Sequence, residues 1–335
     1  MSAGATQEIA RAVRQGAGLF RMAERGVIEV AGGDRVRWLN GMVSNDVTAL
    51  APGGPSGCAA LLLTPKGGIV ADLQVLLRDD ALWLDLERAA LPAVLERLRK
   101  HVIADDVLLA DRSPELSRLG LEGPAAAAVL GAAAGEAPAL AADGARALVL
   151  GGIPVLAAAF GWSGERAFQL FAPAAQEERL VASLRAAGAA KGLVEGDAAA
   201  LEVLRVEAGI PRLGRELGPD VLPPEARLEA AVSYTKGCYT GQEIVARLRS
   251  RGQVRHRLVG LALEGGAPPQ VGAEVQVGEA TVGEVTSAAL SPRRGAIALA
   301  FVRRPHDAPG SAVRVAGIAA RVEDLPLVSP GADAA

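Results

Sequence analysis

The apolar positions of this chain repeat with two different periods, and the change from one to the other marks its main division. A short strand is predicted over 27–30, then a Gly32-Gly33-Asp34 turn in which Asp34 caps a short helix through Asn40. The apolar runs 58–63 and 69–77 are joined by Thr64-Pro65-Lys66-Gly67-Gly68, and Asp79-Asp80 turns the chain into 81–86, which together read as a β-meander. Leu91, Val94, Leu95, Leu98 and Val102 fall on one helical face, with Pro92 in the tolerated first turn. Residues 122–160 are rich in Ala, Gly and Pro, with a helix expected over 125–130 and loop or short strands beyond. Two further helices are predicted: 174–187, stopped by Gly188, and one that starts at the N-cap Asp197 and ends at Ala208 before Gly209 and Pro211. Residues 210–232 read as a long ordered connection. From Val254 onward the period becomes two, in runs separated by Gly and Pro, so that roughly the last 80 residues read as a small antiparallel barrel or sandwich. The division is placed at Arg251-Gly252, giving 1–251 and 252–330 as the two units.

A chain of 335 residues exceeds what one hydrophobic core usually supports, which agrees with that division. Half of it is apolar and 22% is charged, the balance of a folded protein rather than a disordered one. A net charge of −3 and only 3% aromatic residues argue against direct nucleic-acid binding over a broad cationic or base-stacking surface. Two cysteines, Cys58 and Cys238, exclude a disulfide framework, a four-cysteine zinc site and a permanently held cluster. Charged residues and glycines interrupt every apolar stretch before membrane-spanning length, and the N-terminus has no secretory pattern, so a cytoplasmic location is expected. His101, His256 and His306 follow no metal-binding spacing, and P-loop, Rossmann and nucleophile-elbow motifs are absent from the sequence.

The chemistry-bearing segment is Lys236-Gly237-Cys238-Tyr239-Thr240-Gly241-Gln242-Glu243. Gly237 and Gly241 permit unusual backbone angles and close approach to a ligand, and a helix is expected after Gly241 with Gln242 and Glu243 in its first turn. Cys238 then precedes a helix N-terminus and lies two residues from Lys236, both of which favour a thiolate. Its neighbours describe no core position, which points to a functional thiol over a buried small hydrophobe. Cys58, inside an apolar run, reads as core. Between Lys236 and Arg257 six basic residues stand against Glu243 alone, a grouping that suits phosphates, carboxylates or RNA, or else a solvated face. Glu207 projects from an otherwise apolar helix flank, where it must meet donors from a ligand or from one of the many arginines.

These residues resemble the signature of the YgfZ family, folate-binding proteins related in fold to the glycine-cleavage T-protein, an aminomethyltransferase. The resemblance is carried by Lys236 to Glu243 with Val245-Ala246-Arg247, and is supported by Trp38-Leu39-Asn40-Gly41, Ser44-Asn45-Asp46, Leu63-Thr64-Pro65-Lys66-Gly67 with Ala71-Asp72-Leu73, Gly161-Trp162-Ser163-Gly164-Glu165, the segment from Leu204 to Pro211, and Val282-Gly283-Glu284-Val285. It implies an α+β fold, a T-protein-like three-domain ring of two interleaved α+β lobes and a C-terminal antiparallel β-barrel. It also implies tetrahydrofolate or a one-carbon derivative in a central channel, with Glu207 on the pterin edge. Gly237, Gly241, Gln242, Glu243 and Arg247 would contribute to binding, and Cys238 and Lys236 would be the reactive pair. The function implied is an accessory role in iron–sulfur cluster assembly or repair in client enzymes, tRNA-modifying ones among them. Iron–sulfur assembly or client proteins would be the partners, and Cys238 a transient cluster ligand. Folate-dependent aminomethyl transfer is the alternative. Where a T-protein is expected to carry an Asn-centred segment and a catalytic Asp, the stretch aligned here is Leu82-Trp83-Leu84-Asp85-Leu86-Glu87, with Asp105 and Asp106 as distant substitutes.

Overall fold

Before the meander that the apolar pattern predicts, the chain forms a helix, α1 (Ala3–Gln15), and a strand, β1 (Ala17–Arg21), neither of which that pattern announced. The computed structural model describes residues 3–137, 139–252 and 254–331. The meander comprises β2 (Arg25–Ala31), α2 (Arg35–Met42), β3 (Gly57–Leu63), β4 (Ile69–Arg78), β5 (Ala81–Glu87), α3 (Leu91–Arg99) and β6 (Leu108–Asp111). Next come β7 (Leu116–Glu122), α4 (Ala126–Ala134), β8 (Ala145–Leu150), β9 (Ile153–Ala158), β10 (Ala167–Pro173), α5 (Glu177–Gly188), β11 (Leu193–Gly196) and α6 (Ala198–Ala208). A long connection leads to α7 (Gln242–Arg251) and to β12 (His256–Leu263), β13 (Glu274–Val277), β14 (Ala280–Ser291), β15 (Gly295–Arg303), β16 (Ala312–Val315) and β17 (Ile318–Glu323).

The strands form two open sheets and a barrel. The first sheet has the order β3-β4-β5-β2-β6, the second β11-β1-β7-β10-β9-β8, and β12 to β17 close into an antiparallel barrel. Because β1 belongs to the second sheet while the whole first sheet lies between β1 and β7 in sequence, the two lobes are interleaved. Each sheet buries one face on its own helices. Alternate residues of β4 (Ala71, Leu73, Val75) pack with Trp38 of α2 and Leu95 of α3 in the first lobe, and Leu119, Leu121, Phe168 and Leu170 pack with α4 and α5 in the second. The opposite faces of the two sheets meet through Val27, Leu76, Trp83, Leu156 and Phe171. A separate core joins α1 and α6 to the barrel through Val13, Leu204, Leu258 and Leu299.

Local chemistry explains most element ends. Asp197 Oδ1 accepts from the Ala200 N–H at 2.8 Å, the capping bond its position calls for, and Gly209 closes α6 with φ +69°. Asp34 stands at the N-cap of α2 but caps nothing; its Oδ2 accepts from the Asp106 N–H at 2.9 Å and ties the helix entry to the loop before β6. Cys58 is half-buried against the first-lobe core, and burial pushes its thiol up to about 12. Among the described residues no helix is long and apolar enough to cross a membrane. Replacing the one side chain that caps α6, Asp197→Ala, should cost about 1 kcal/mol of stability, read as a lower urea midpoint at unchanged slope.

Candidate functional site

The face on which the two sheets meet is apolar at one end and charged at the other. Strand alternation puts Arg25, Asp72, Gln74, Asp85 and Glu87 of the first sheet on the same side as Val27 and Trp83. Arg25 donates to Asp85 Oδ2 from Nε at 3.2 Å and from Nη2 at 2.8 Å, and to Glu87 at 3.4 Å. The other oxygen of Asp85 accepts from Arg118 of β7 at 2.5 Å, so one fully buried carboxylate is held by a guanidinium from each lobe. The guanidinium of Arg25 also stacks on Trp162, 4.9 Å from the ring centroid. Arg118 lies 4.0 Å over the Phe171 ring, and desolvation brings it down to about 10.

Asp72 belongs to this charged end, where, among the described residues, its Oδ1 and the Nε of Arg118 are buried atoms without a hydrogen-bond partner. The Asp72 oxygen is sealed from solvent, although other atoms of the residue remain partly exposed. Burial raises its pKa; Arg25 opposes that shift, and Glu87 and Asp85 add to it. Beside these residues lies a hollow of about 120 Å³ lined by Glu24, Arg25, Glu87, Trp162, Glu202 and Arg212, among others. Arg25 and Arg212 hold Glu87 and Arg205 holds Glu202, which leaves Glu24 and one indole face for a flat, nitrogen-rich ring. A larger groove of about 1250 Å³ opens elsewhere between the lobes and contains none of the buried charges.

Glu207 does not reach this hollow as a free acceptor. Its Oε2 accepts from Arg14 Nε and Nη2 at 3.0 and 2.9 Å, and its Oε1 from Ser291 Oγ at 2.5 Å. All three side chains are buried and Glu207 does not line the hollow, so the structure gives this carboxylate partners inside the protein rather than the open position that a pterin edge calls for. Arg14 in turn donates to Glu165 at 2.8 Å. Two residues before Glu207 on α6, Arg205 donates to Glu202, Glu216 and Ser287. Helix α6 therefore carries two buried ionic clusters, each reaching the barrel through a serine.

The Lys236–Glu243 segment forms a strap across the first lobe. Lys236 Nζ donates to the carbonyls of Asn40, Val43 and Asn45 at 2.5, 2.7 and 2.7 Å, at the C-terminal end of α2. Burial draws this ammonium down to about 8. All three of its donors are spent on main-chain carbonyls, so Lys236 is a clamp and does not serve as a partner of the Cys238 thiol. Cys238 is exposed, and among the described residues no group of three or more His, Cys, Asp or Glu could hold a metal ion with it. Gly241 is required, with φ +85° and a built Cβ only 2.7 Å from Thr64 O; Gly237 has open space and no such angle. Gln242 and Glu243 open α7 as expected, but Glu243 is exposed and accepts from Arg247 at 3.2 Å, away from the sheet interface. The structure thus brings Lys236 to α2 and Glu207 to Arg14, and it does not gather the strap residues around the charged hollow. Sequence reasoning named no role for Arg25 or Arg118 and quoted Asp72 and Asp85 only within segments of the resemblance. The available signal was polar residues at alternate positions of strands whose other face is wholly apolar.

Known proteins corroborate the architecture. The profile of the GCVT N-terminal domain matches residues 1–236, and that of the glycine cleavage T-protein C-terminal barrel domain matches 256–328. An aminomethyltransferase of Streptomyces avermitilis is 32% identical over 308 residues, covering 90% of this chain and 82% of that protein. One from Cutibacterium acnes is 34% identical over 304 residues, with 87% and 80% covered. The crystal structure of the glycine cleavage system aminomethyltransferase T from Bartonella henselae superposes with a TM-score of 0.86 at 26% identity, covering 97% of this chain and 90% of that one. The α+β fold with a C-terminal antiparallel barrel is therefore that of a T-protein. The same relatives overturn the iron–sulfur accessory role expected from the Cys238 motif: over nearly the whole chain the likeness is to aminomethyltransferases. These relatives support the T-protein family as a whole and do not single out YgfZ within it.

The Arg14 cluster yields a direct test. Arg14→Met would leave Glu165 and Glu207 facing each other without a cation, and should cost about 3–5 kcal/mol in urea unfolding, several times the loss at an exposed arginine such as Arg179.

Proposed function

The chain belongs to the glycine-cleavage T-protein (GCVT) family, and from that premise we propose that it is a folate-dependent aminomethyltransferase, moving the methylene carbon of an aminomethyl thioether on a carrier protein to two nitrogens of tetrahydrofolate as the C–N and C–S bonds break to release ammonia and the carrier thiol. The observation that carries the reading is Asp72: a carboxyl with a raised pKa and one sealed, unpartnered oxygen, in the field of Arg25 and Glu87, which line the charged hollow while Asp72 itself lies behind them. An unmatched buried acceptor is costly, and such groups concentrate where a ligand completes the hydrogen bonding. Glu87 in the hollow is held by Arg25 and Arg212 and Glu202 by Arg205, so the fit to the group rests on Glu24 as acceptor and Trp162 as a flat apolar wall. Tetrahydrofolate supplies a nucleophilic amine that accepts the carbon.

In this reading Asp72 moves protons at its free oxygen. Its raised pKa leaves a carboxyl poised to give a proton to a departing amine or to take one from an attacking amine. Arg25, fixed by Asp85 and Glu87, keeps Asp72 from rising further and so sets the balance between the two forms. Trp162 holds the Arg25 guanidinium from the other lobe and limits water at that wall. Lys236 fixes the strap; Cys238 is assigned no step.

Two experiments follow. Methylene-tetrahydrofolate formation from an aminomethyl-lipoyl carrier protein should be catalysed by the wild type, should fall by about 10²-fold or more in Asp72→Asn, and should persist in Cys238→Ala. A wild type without turnover, or turnover indifferent to Asp72, overturns the reading. Stability gives the second test. Since the folded value of Asp72 lies above that of an exposed aspartate, the folded state holds this proton more tightly, and stability is lost as pH rises through that value. Asp72→Asn should therefore be more resistant to urea than wild type at pH 7, with the difference closing below about pH 4, where Asp72 is neutral in both states.

A further inference from the structure

The basic grouping after the strap motif is only partly absorbed by the site above. Lys236 clamps α2, and Arg247 pairs with Glu243. Arg249, Arg255 and Arg257 are joined by two arginines from far along the chain. In the β12–β15 pair His256 lies opposite Arg303 and Arg257 opposite Val302, and the Arg304 N–H donates to Arg255 O at 3.2 Å. Arg255 and Arg304 therefore lie opposite each other just beyond the ends of β12 and β15, and like charges set side by side at a sheet end repel. Arg249, at the end of α7, lies over the Tyr234 ring at 4.0 Å. Between these elements is a hollow of about 280 Å³ lined by Tyr234, Arg249, Arg257 and Arg304, with Glu229 and Asp307 also present. Among the described residues, none of the three arginines lining it has a carboxylate within 4.0 Å, whereas Arg14, Arg25, Arg112, Arg205 and Arg227 are all paired.

We propose that this hollow between α7 and the barrel binds a doubly charged oxyanion, a phosphate monoester or the paired carboxylates of a small molecule, on Arg249, Arg257 and Arg304. Guanidinium forks bind both kinds of oxyanion through paired N–H groups, and here three exposed ones line one hollow against the two carboxylates Glu229 and Asp307, with none of the three in a direct ion pair among the described residues. The size of the hollow suits a compact head group, not a polymer. The lack of aromatic surface beyond Tyr234 gives no platform for stacked bases. Glu229 and Asp307 can accept from hydroxyl or ammonium groups on the same ligand. The site is separate from the hollow beside Arg25 and Glu87 and does not depend on the aminomethyltransferase reading.

The test uses the whole protein with inorganic phosphate and, separately, glutarate, each against potassium chloride of equal ionic strength. At saturation one or both should raise the thermal midpoint by about 2 °C above the chloride control. A shift with phosphate assigns a phosphate ester, a shift with glutarate a dicarboxylate. Arg257→Ser/Arg304→Ser should bind the active probe about tenfold or more weakly in calorimetric titration while unfolding no more easily than wild type without ligand, because like charges have been removed. Arg249→Gln, which leaves the barrel untouched, should also weaken binding. No shift beyond chloride with either probe, or undiminished binding in both variants, overturns the proposal.

Discussion

One carboxylate held by guanidiniums from two lobes is the contact on which the arrangement of the site depends. Asp85 has no exposure to water and receives Arg25 on one oxygen and Arg118 on the other. Without either arginine a charge would remain buried and unmatched, a loss of about 3–5 kcal/mol. The cost of desolvating three ions is the reason this interface cannot simply slide. Apolar contacts such as Trp83 on Phe171, with centroids 5.7 Å apart, bring the sheets together without direction. The Arg25–Asp85–Arg118 bridge fixes their register, and with it the position of Asp72 relative to the opposing wall. The same bridge keeps Arg25 on Trp162, so the lobes are joined again at the rim of the hollow.

Helix α6 extends this logic to the third body. Glu207 joins α1 to the barrel through Arg14 and Ser291, and Arg205 joins the long connection to the barrel through Glu216 and Ser287. Buried ions on a helix that already packs apolar residues into a mixed core give little net stability, but they discriminate strongly against misdocked arrangements. A carboxylate on an apolar flank was therefore a sound signal of something buried and polar. Its partner was another part of the chain.

The parts legible in sequence were those set by local rules. Alternation after Val254 announced the barrel, Asp197 and Gly209 bracketed α6, and the turn chemistry of Thr64 to Gly68 placed the β3–β4 hairpin. The illegible parts were pairings between distant residues. Arg14 and Glu207 are 193 positions apart, and Lys236 reaches carbonyls at Asn40, Val43 and Asn45. Nothing near either residue indicates those partners, so proximity in sequence wrongly suggested that Lys236 serves Cys238. The interleaving of the lobes came from family resemblance rather than from pattern. Asp72 was visible as a polar interruption of an apolar strand, yet its meaning depends on Arg25, Asp85 and Glu87 arriving from other strands.

The place of β1 has a consequence for how the chain is made. Its residues leave the ribosome before those of either sheet neighbour, and Ala17, Leu19 and Phe20 are nearly inaccessible in the finished protein. Its two neighbours, β7 and β11, begin only at Leu116 and Leu193. During synthesis the first sheet can close on itself while this greasy ribbon waits at its border with both edges bare, a form prone to self-association. Birth order and assembly order are thus reversed: the lobe begun first is completed second, and holding that ribbon harmless until its neighbours emerge becomes a task for α1 or for cellular chaperones.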